Sequence, residues 1–203
     1  MRRSAGIAIA ILFIAFPSAL IAENTKNLLR NAAKALGAEN LRTIQYSGSA
    51  SNSTYTREIA FDLPSSDVPW AKQLDIWITP YGFLKRAAAA TDITVTRRKI
   101  NGRKYRVLTF TVEDRFPLNE SRENPGGDFL DVTYLVVSRG KLRGYINDQN
   151  VIGKVETWIG DALVESTYSA YKDFAGIRFP TRIVQKRDGR LTLDLNVREV
   201  HGN

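Results

Sequence analysis

Few residues in this sequence carry reactive chemistry. A Ser-His-Asp relay needs an imidazole between hydroxyl and carboxylate, and the one histidine, His201, sits in a carboxyl-terminal stretch of the kind that frays. The lack of cysteine excludes thiolate nucleophiles, disulfides and cysteine-held zinc. A catalytic metal needs three or more protein ligands around an open position, so neither a metal centre nor a cofactor is expected. Carboxylate pairs remain: Asp128 with Asp131, and Glu156 with Glu165. Such pairs do acid-base work when burial drives their pKa values apart. Each of these alternates with apolar neighbours, as residues on the wet side of a strand do. Both pairs are therefore expected at the surface, and a carboxylate-dependent hydrolase is the lesser reading.

Binding has more candidates. Trp77, Phe83, Tyr134, Trp158 and Tyr168 have the apolar area to line a ligand pocket, although the same residues suit plain core. Arg97, Arg98, Lys99, Arg103, Lys104 and Arg106 bracket Asn101-Gly102. Charge at such a place marks either an edge guarded against aggregation or a patch for an anionic partner. Asn52-Ser53-Thr54 and Asn119-Glu120-Ser121 match the glycosylation acceptor pattern, which acts only in a eukaryotic secretory pathway.

A sheet must position these residues. Thr25 reads as the cap of a helix with an apolar stripe of Leu28, Leu29, Ala32, Ala33 and Leu36, ended by Gly37. Lys26, Arg30 and Lys34 form a basic row on its flank. Strands follow over 44–52 and 55–63, then a short loop over 64–69. Trp70, Leu74 and Trp77 fit helical spacing, and Thr79-Pro80 reads as a fresh cap, so two short helices are predicted to meet at Thr79. The rest is strand: 93–99 and 104–113 around an Asn-Gly hairpin turn, a loop over 115–127, then 129–137, 141–146, 151–159, 163–171, 177–185 and 191–200. Arg139-Gly140, Gly160-Asp161 and Asp188-Gly189 read as tight reversals, which force antiparallel pairing. Leu191, Leu193, Leu195 and Val197 alternate with polar residues, giving one dry face and one wet face. Residues 130–137 are apolar on both parities, so helices around Trp77 and Phe83 are predicted to cover them. The fold class is α+β: a curved antiparallel sheet, an open or partial barrel, with an N-terminal helix and short helices on the concave face.

The first residues set the compartment. Arg2 and Arg3 precede an apolar run over 5–16, a Pro17-Ser18 break and small residues up to Ala22, the layout of a secretory signal peptide. The run is shorter than the roughly 20 residues of a spanning helix. Cleavage is expected after Ala22, leaving one half-barrel-like domain over 23–203. Leu20 stands where a cleavage site prefers a small residue, so an uncleaved leader tethering the domain to the membrane is the alternative. The chain carries a net charge of +8, which favours anionic surfaces; for an exported protein that means a membrane or an envelope polymer, and no nucleic-acid motif is present.

Four segments carry a resemblance: YINDQNVIGKVETWI over 145–159, VESTYSAYKDFAGIRFPTRIVQKRDGRLTLDL over 164–195, TPYGFLKRAAA over 79–89 and AAKALGAENLRTIQYSGS over 32–49. They resemble the amino-terminal, non-catalytic region of exported bacterial metallo-β-lactamase-fold hydrolases. More distantly, YKDFAGIRFPTRI over 171–183 is similar to the half-barrel lipoprotein carriers of the bacterial periplasm, in which a curved sheet and inner helices enclose an apolar cavity. The metal signature of the hydrolase family, H-x-H-x-D-H, does not occur in this chain, so the resemblance implies no hydrolase activity. It implies a periplasmic binding or accessory module that holds an apolar small molecule or lipid or docks a separately encoded hydrolase domain. An orphaned or split front half of such a hydrolase is the alternative.

Overall fold

Two-residue turns organise the sheet. Asn101 and Gly102, Ala175 and Gly176, and Asp188 and Gly189 all have positive φ at both central positions, the geometry that lets strands of right-handed twist reverse directly. The computed structural model describes residues 18–50, 53–60, 76–123, 129–159 and 161–203; the side chains of 18–23, 60, 113–123, 129–139 and 159 fall outside that description. Among these described residues there are nine strands: β1 (Thr43–Ala50), β2 (Ser53–Ala60), β3 (Thr94–Ile100), β4 (Arg103–Glu123), β5 (Phe129–Asn147), β6 (Ile152–Ile159), β7 (Ala162–Phe174), β8 (Ile177–Arg187) and β9 (Arg190–Gly202). Among the described residues two full helices accompany them, α1 (Ser18–Leu36) and α2 (Pro80–Ala89). The strands lie in the order β2-β1-β9-β8-β7-β6-β5-β4-β3, and every neighbouring pair is antiparallel. The first hairpin therefore joins the last strand, and the sheet stays open between β2 and β3. This is the α+β, open curved sheet expected.

Helix ends follow local chemistry. Thr79 caps α2, its hydroxyl oxygen accepting from the Gly82 amide at 3.1 Å, with Pro80 in the first turn. Gly37, at φ +67°, ends α1. The Gly37 amide donates to the Lys34 carbonyl and the Ala38 amide to the Ala33 carbonyl, which satisfies two otherwise orphaned carbonyls. The start of α1 differs from expectation: it begins at Ser18, so Thr25 lies inside the helix rather than at its cap. Ala19, Leu20 and Ala22 are strong helix formers, and nothing between them and Thr25 breaks the helix. Residues 1–17 lie outside the described residues, as do the 64–69 loop, Trp70 and Leu74.

The largest departure is in β4 and β5. The segment 115–127 was expected to be a loop, yet β4 runs to Glu123 and pairs with β5 from Arg115 opposite Val137 to Glu123 opposite Phe129. Arg139-Gly140 is not a reversal but lies within β5, opposite Glu113 and Val112. Ladder bonds belong to the backbone, so a strand with no hydrophobic period still pairs when an adjacent strand presents free amides and carbonyls. β6 pairs with β5 only from Leu142 onward, so 129–141 is laddered to β4 alone among the described residues. α2 lies over Gly144, and the side chains of 130–137, which helices were expected to cover, fall outside the described residues.

One face of the sheet carries the core. Leu28, Leu29, Ala32 and Leu36 of α1, as expected, and Tyr81, Phe83, Leu84 and Ala87 of α2 are buried against Leu108, Phe110, Leu142, Ile146, Ile152, Val155, Phe179 and Leu195. Of the expected inward row on β9, Leu195 and Val197 are buried, but Leu191 is 60% exposed. It follows a register shift at Gln185/Lys186, beside the β8–β9 turn. A second shift at Ser47/Gly48 makes Arg198 an extra residue, and the buried set resumes at Val200. The centre of the core is Phe83. Its ring, fully buried, occupies the space that a Cβ on Gly144 would fill and lies 5.3 Å from the Phe110 ring. Phe83→Ala is expected to lower the unfolding free energy by about 3–5 kcal/mol. Gly144→Ala should be severe in the native background and much milder in the Phe83→Ala background, because the cavity then admits the methyl group. Denaturant titration of the four proteins checks this, and additive losses would contradict the packing described.

Candidate functional site

The predicted aromatic lining does not come together. Phe83 is core, and Tyr168 is buried with its hydroxyl donating to the Ile78 carbonyl. Trp77, half-buried, is helical just before the Ile78-Thr79 turn into α2, with the Arg86 guanidinium 5.0 Å above its ring. Trp158, although on the strand next to Tyr168, is on the opposite face: it shares parity with Glu156, and the Arg143 guanidinium stacks on it at 5.1 Å. Adjacent strands alternate sides residue by residue, and the pairing of Trp158 with Leu163 rather than Val164 sets that side. The Tyr134 side chain, like those of Asp128 and Asp131, lies outside the described residues.

Glu156 corrects the expectation of a solvated carboxylate, for it is 5% exposed. Arg143 donates to it at 3.1 Å, Tyr145 at 2.9 Å, and Lys154 forms a close ion pair with it. Lys154 also reaches Glu165, half-buried on β7, at 3.1 Å. Three donors occupy the Glu156 carboxylate, leaving it little capacity to accept a substrate proton. The cluster is a polar cross-brace on the outer face of β5, β6 and β7. His201 is exposed and stands in β9 opposite Gln45, not on a frayed tail, because Asn203 and Thr43 exchange backbone bonds. Among the described residues no three His, Asp or Glu side chains converge to hold a metal, and no helix is long and apolar enough to cross a membrane.

The basic residues do cluster. Arg97, Arg98, Lys99, Arg103 and Lys104 are all exposed on the hairpin of β3 and β4, at the sheet edge. Its register sets Arg97 opposite Arg106 and Lys99 opposite Lys104 on the inner face, and Arg98 opposite Tyr105 and Ile100 opposite Arg103 on the outer face. Arg106 is held toward the next turn, donating to Asn150 and to the Asn147 carbonyl.

Between this inner face and α1 lies a cleft of about 750 Å³ lined by Asn24, Thr25, Leu28, Val95, Thr96, Arg97 and Arg106. Leu28 and Val95 make its wall apolar, and the two guanidinium-bearing residues stand at one side of it. Sequence reasoning missed this cleft, although the Asn101-Gly102 turn already fixes the pairing of Arg97 with Arg106. What it could not show is that the first turns of α1 face that pair across a cleft. Comparison with family models, with curated proteins and with solved structures finds no match, so the family resemblance rests on the quoted segments alone.

Two stability predictions follow from the buried groups. Glu156→Gln leaves Arg143 and Lys154 without their carboxylate; because both side chains still reach solvent, the expected loss is about 2 kcal/mol, below the 3–5 of fully buried pairs. Unchanged stability would mean the brace carries no load. Burial raises the phenol pKa of Tyr46, Tyr81 and Tyr168. For Lys154, burial acts to lower the pKa, but hydrogen bonds to Glu156 and Glu165 outweigh it and the net shift is upward. Above about pH 10 the unfolded chain thus loses protons that the folded chain retains, and stability falls as pH rises. The denaturant midpoint should be level from about pH 8 to 9 and drop above 10; a level midpoint at pH 11 counts against it.

Proposed function

We propose that this chain is an exported, non-catalytic binding module whose cleft between α1 and the β3–β4 hairpin takes an apolar ligand with an anionic end. One observation carries the reading: the walls of the cleft combine Leu28 and Val95 with Arg97 and Arg106. An acyl chain against the first pair removes apolar surface from water, and a carboxylate or phosphate beside the second gains charge-assisted hydrogen bonds. The volume is within the roughly 300–1,000 Å³ of small-molecule sites. Export rests on the leader over 1–22. Removing it after Ala22 would shorten α1 at its start and leave its packed residues, Leu28 onward, in place.

A fluorescent long-chain fatty acid tests the reading. Saturable binding is expected, displaced by oleate, and about tenfold weaker for the methyl ester or for Arg97→Glu because an ionic hydrogen bond is lost. Val95→Asp should weaken it further, while Glu156→Gln, on the other face, leaves it unchanged. Absence of saturable binding overturns the proposal.

A further inference from the structure

We infer that the tip of the β3–β4 hairpin docks on anionic phospholipid bilayers, with Ile100 entering the interface and a collar of cations around it. This inference goes beyond the cleft and does not need it to be occupied.

Arg97, Arg98, Lys99, Arg103 and Lys104 are exposed, and none forms an ion pair among the described residues. The register sets like charges directly against each other, Lys99 opposite Lys104 and Arg97 opposite Arg106. Directly opposed like charges destabilise a strand pair. Guarding an edge against aggregation needs only a charge or two, so the doubled rows call for negative charge from outside the chain.

The apolar residue at the tip selects the kind of partner. Ile100 is 38% exposed, one of two large hydrophobic side chains in the described residues left open to solvent, and it immediately precedes the Asn101-Gly102 turn. A soluble polyanion gives such a side chain nothing. At a bilayer surface the same side chain enters the headgroup and acyl boundary while the surrounding cations meet lipid phosphates. Arg98 and Arg103 lie on one face of the hairpin, and Lys99 and Lys104 on the other, so cations flank the tip from both sides. Tyr105, half-buried opposite Arg98, is a residue type that favours the membrane interface. β3 is an edge strand, which leaves the tip free to approach a flat surface.

The experiment is co-sedimentation of the chain without its leader, residues 23–203, whose packed residues that removal leaves in place, with vesicles of phosphatidylcholine alone, and of phosphatidylcholine with about a third phosphatidylglycerol. Binding to the anionic vesicles is expected to be at least about tenfold tighter and to disappear near 0.5 M salt. Lys99→Glu with Lys104→Glu should bring anionic binding down to the neutral-vesicle level. Ile100→Ser should reduce it about fivefold while keeping the salt response. Leu191→Ser, which removes the other exposed hydrophobic at a different turn, should change nothing. Melting temperatures establish that each variant is folded, and the salt response of the unaltered chain stands apart from any variant. Equal binding to both vesicle types overturns the inference, as does no binding at all. Wild-type affinity in Ile100→Ser, with soluble polyglutamate competing fully, would assign the patch to polyanions instead of bilayers. Loss of fatty-acid binding with vesicle binding intact would remove the cleft reading and leave this one standing.

Discussion

The contact between the Phe83 ring and the bare Cα of Gly144 decides where α2 lies on the sheet, and much else is arranged around it. With Phe83 seated over β5, Tyr81 stacks on Phe179 and its hydroxyl donates to the Arg178 carbonyl on β8. The turn leading into α2 accepts the Tyr168 hydroxyl through Ile78. α1 then packs on α2 and reaches β8, where Gly37 approaches Gly176 too closely for a Cβ on the former. Both helices are thereby committed to the middle of the sheet. The inner face of β3 and β4 is covered only as far as Val95 and Leu108; beyond them it carries Arg97, Lys99, Lys104 and Arg106 in place of apolar residues.

The outer face solves a different problem. A sheet with helices on one side normally leaves the other wet, yet Val107, Tyr145 and Glu156 are all buried there. Long side chains achieve this by lying across one another: Arg143 on Trp158, Lys154 over the Tyr145 ring at 4.7 Å, and Tyr145 edge-on to Tyr105. The two cations and two carboxylates of this group balance, so the patch is stiff and electrically quiet. The hairpin beside it carries a cluster of exposed cations without such carboxylate partners among the described residues.

Much of this was legible in the residue order, and the reasons are local. Asn-Gly and Asp-Gly turns, the Thr79-Pro80 cap and the Gly37 stop each have a short-range physical cause, so they could be read without knowing the fold. The long ribbon of β4 and β5 could not, since its pairing depends on backbone groups that leave no period in the side chains. Burial of Glu156 was hidden for a related reason: alternation marks which side of a strand a residue faces, but not whether neighbouring arginine, lysine and tyrosine fold over it. The aromatic pocket failed on parity. A register fixed by the β6–β7 turn put Trp158 and Tyr168 on opposite sides, and only the pairing itself shows that.

The joining of β1 to β9 places Ser47 within hydrogen-bonding distance of Glu199, 152 positions further along the chain. Contacts that distant form late, since the loop they close is long. A chain made from its amino terminus holds the β1–β2 hairpin with one edge unfilled until β9 has been made. During that interval β1 is a template for any strand at hand, including the same strand of a neighbouring molecule, and the order of synthesis itself becomes a hazard that the finished sheet no longer displays.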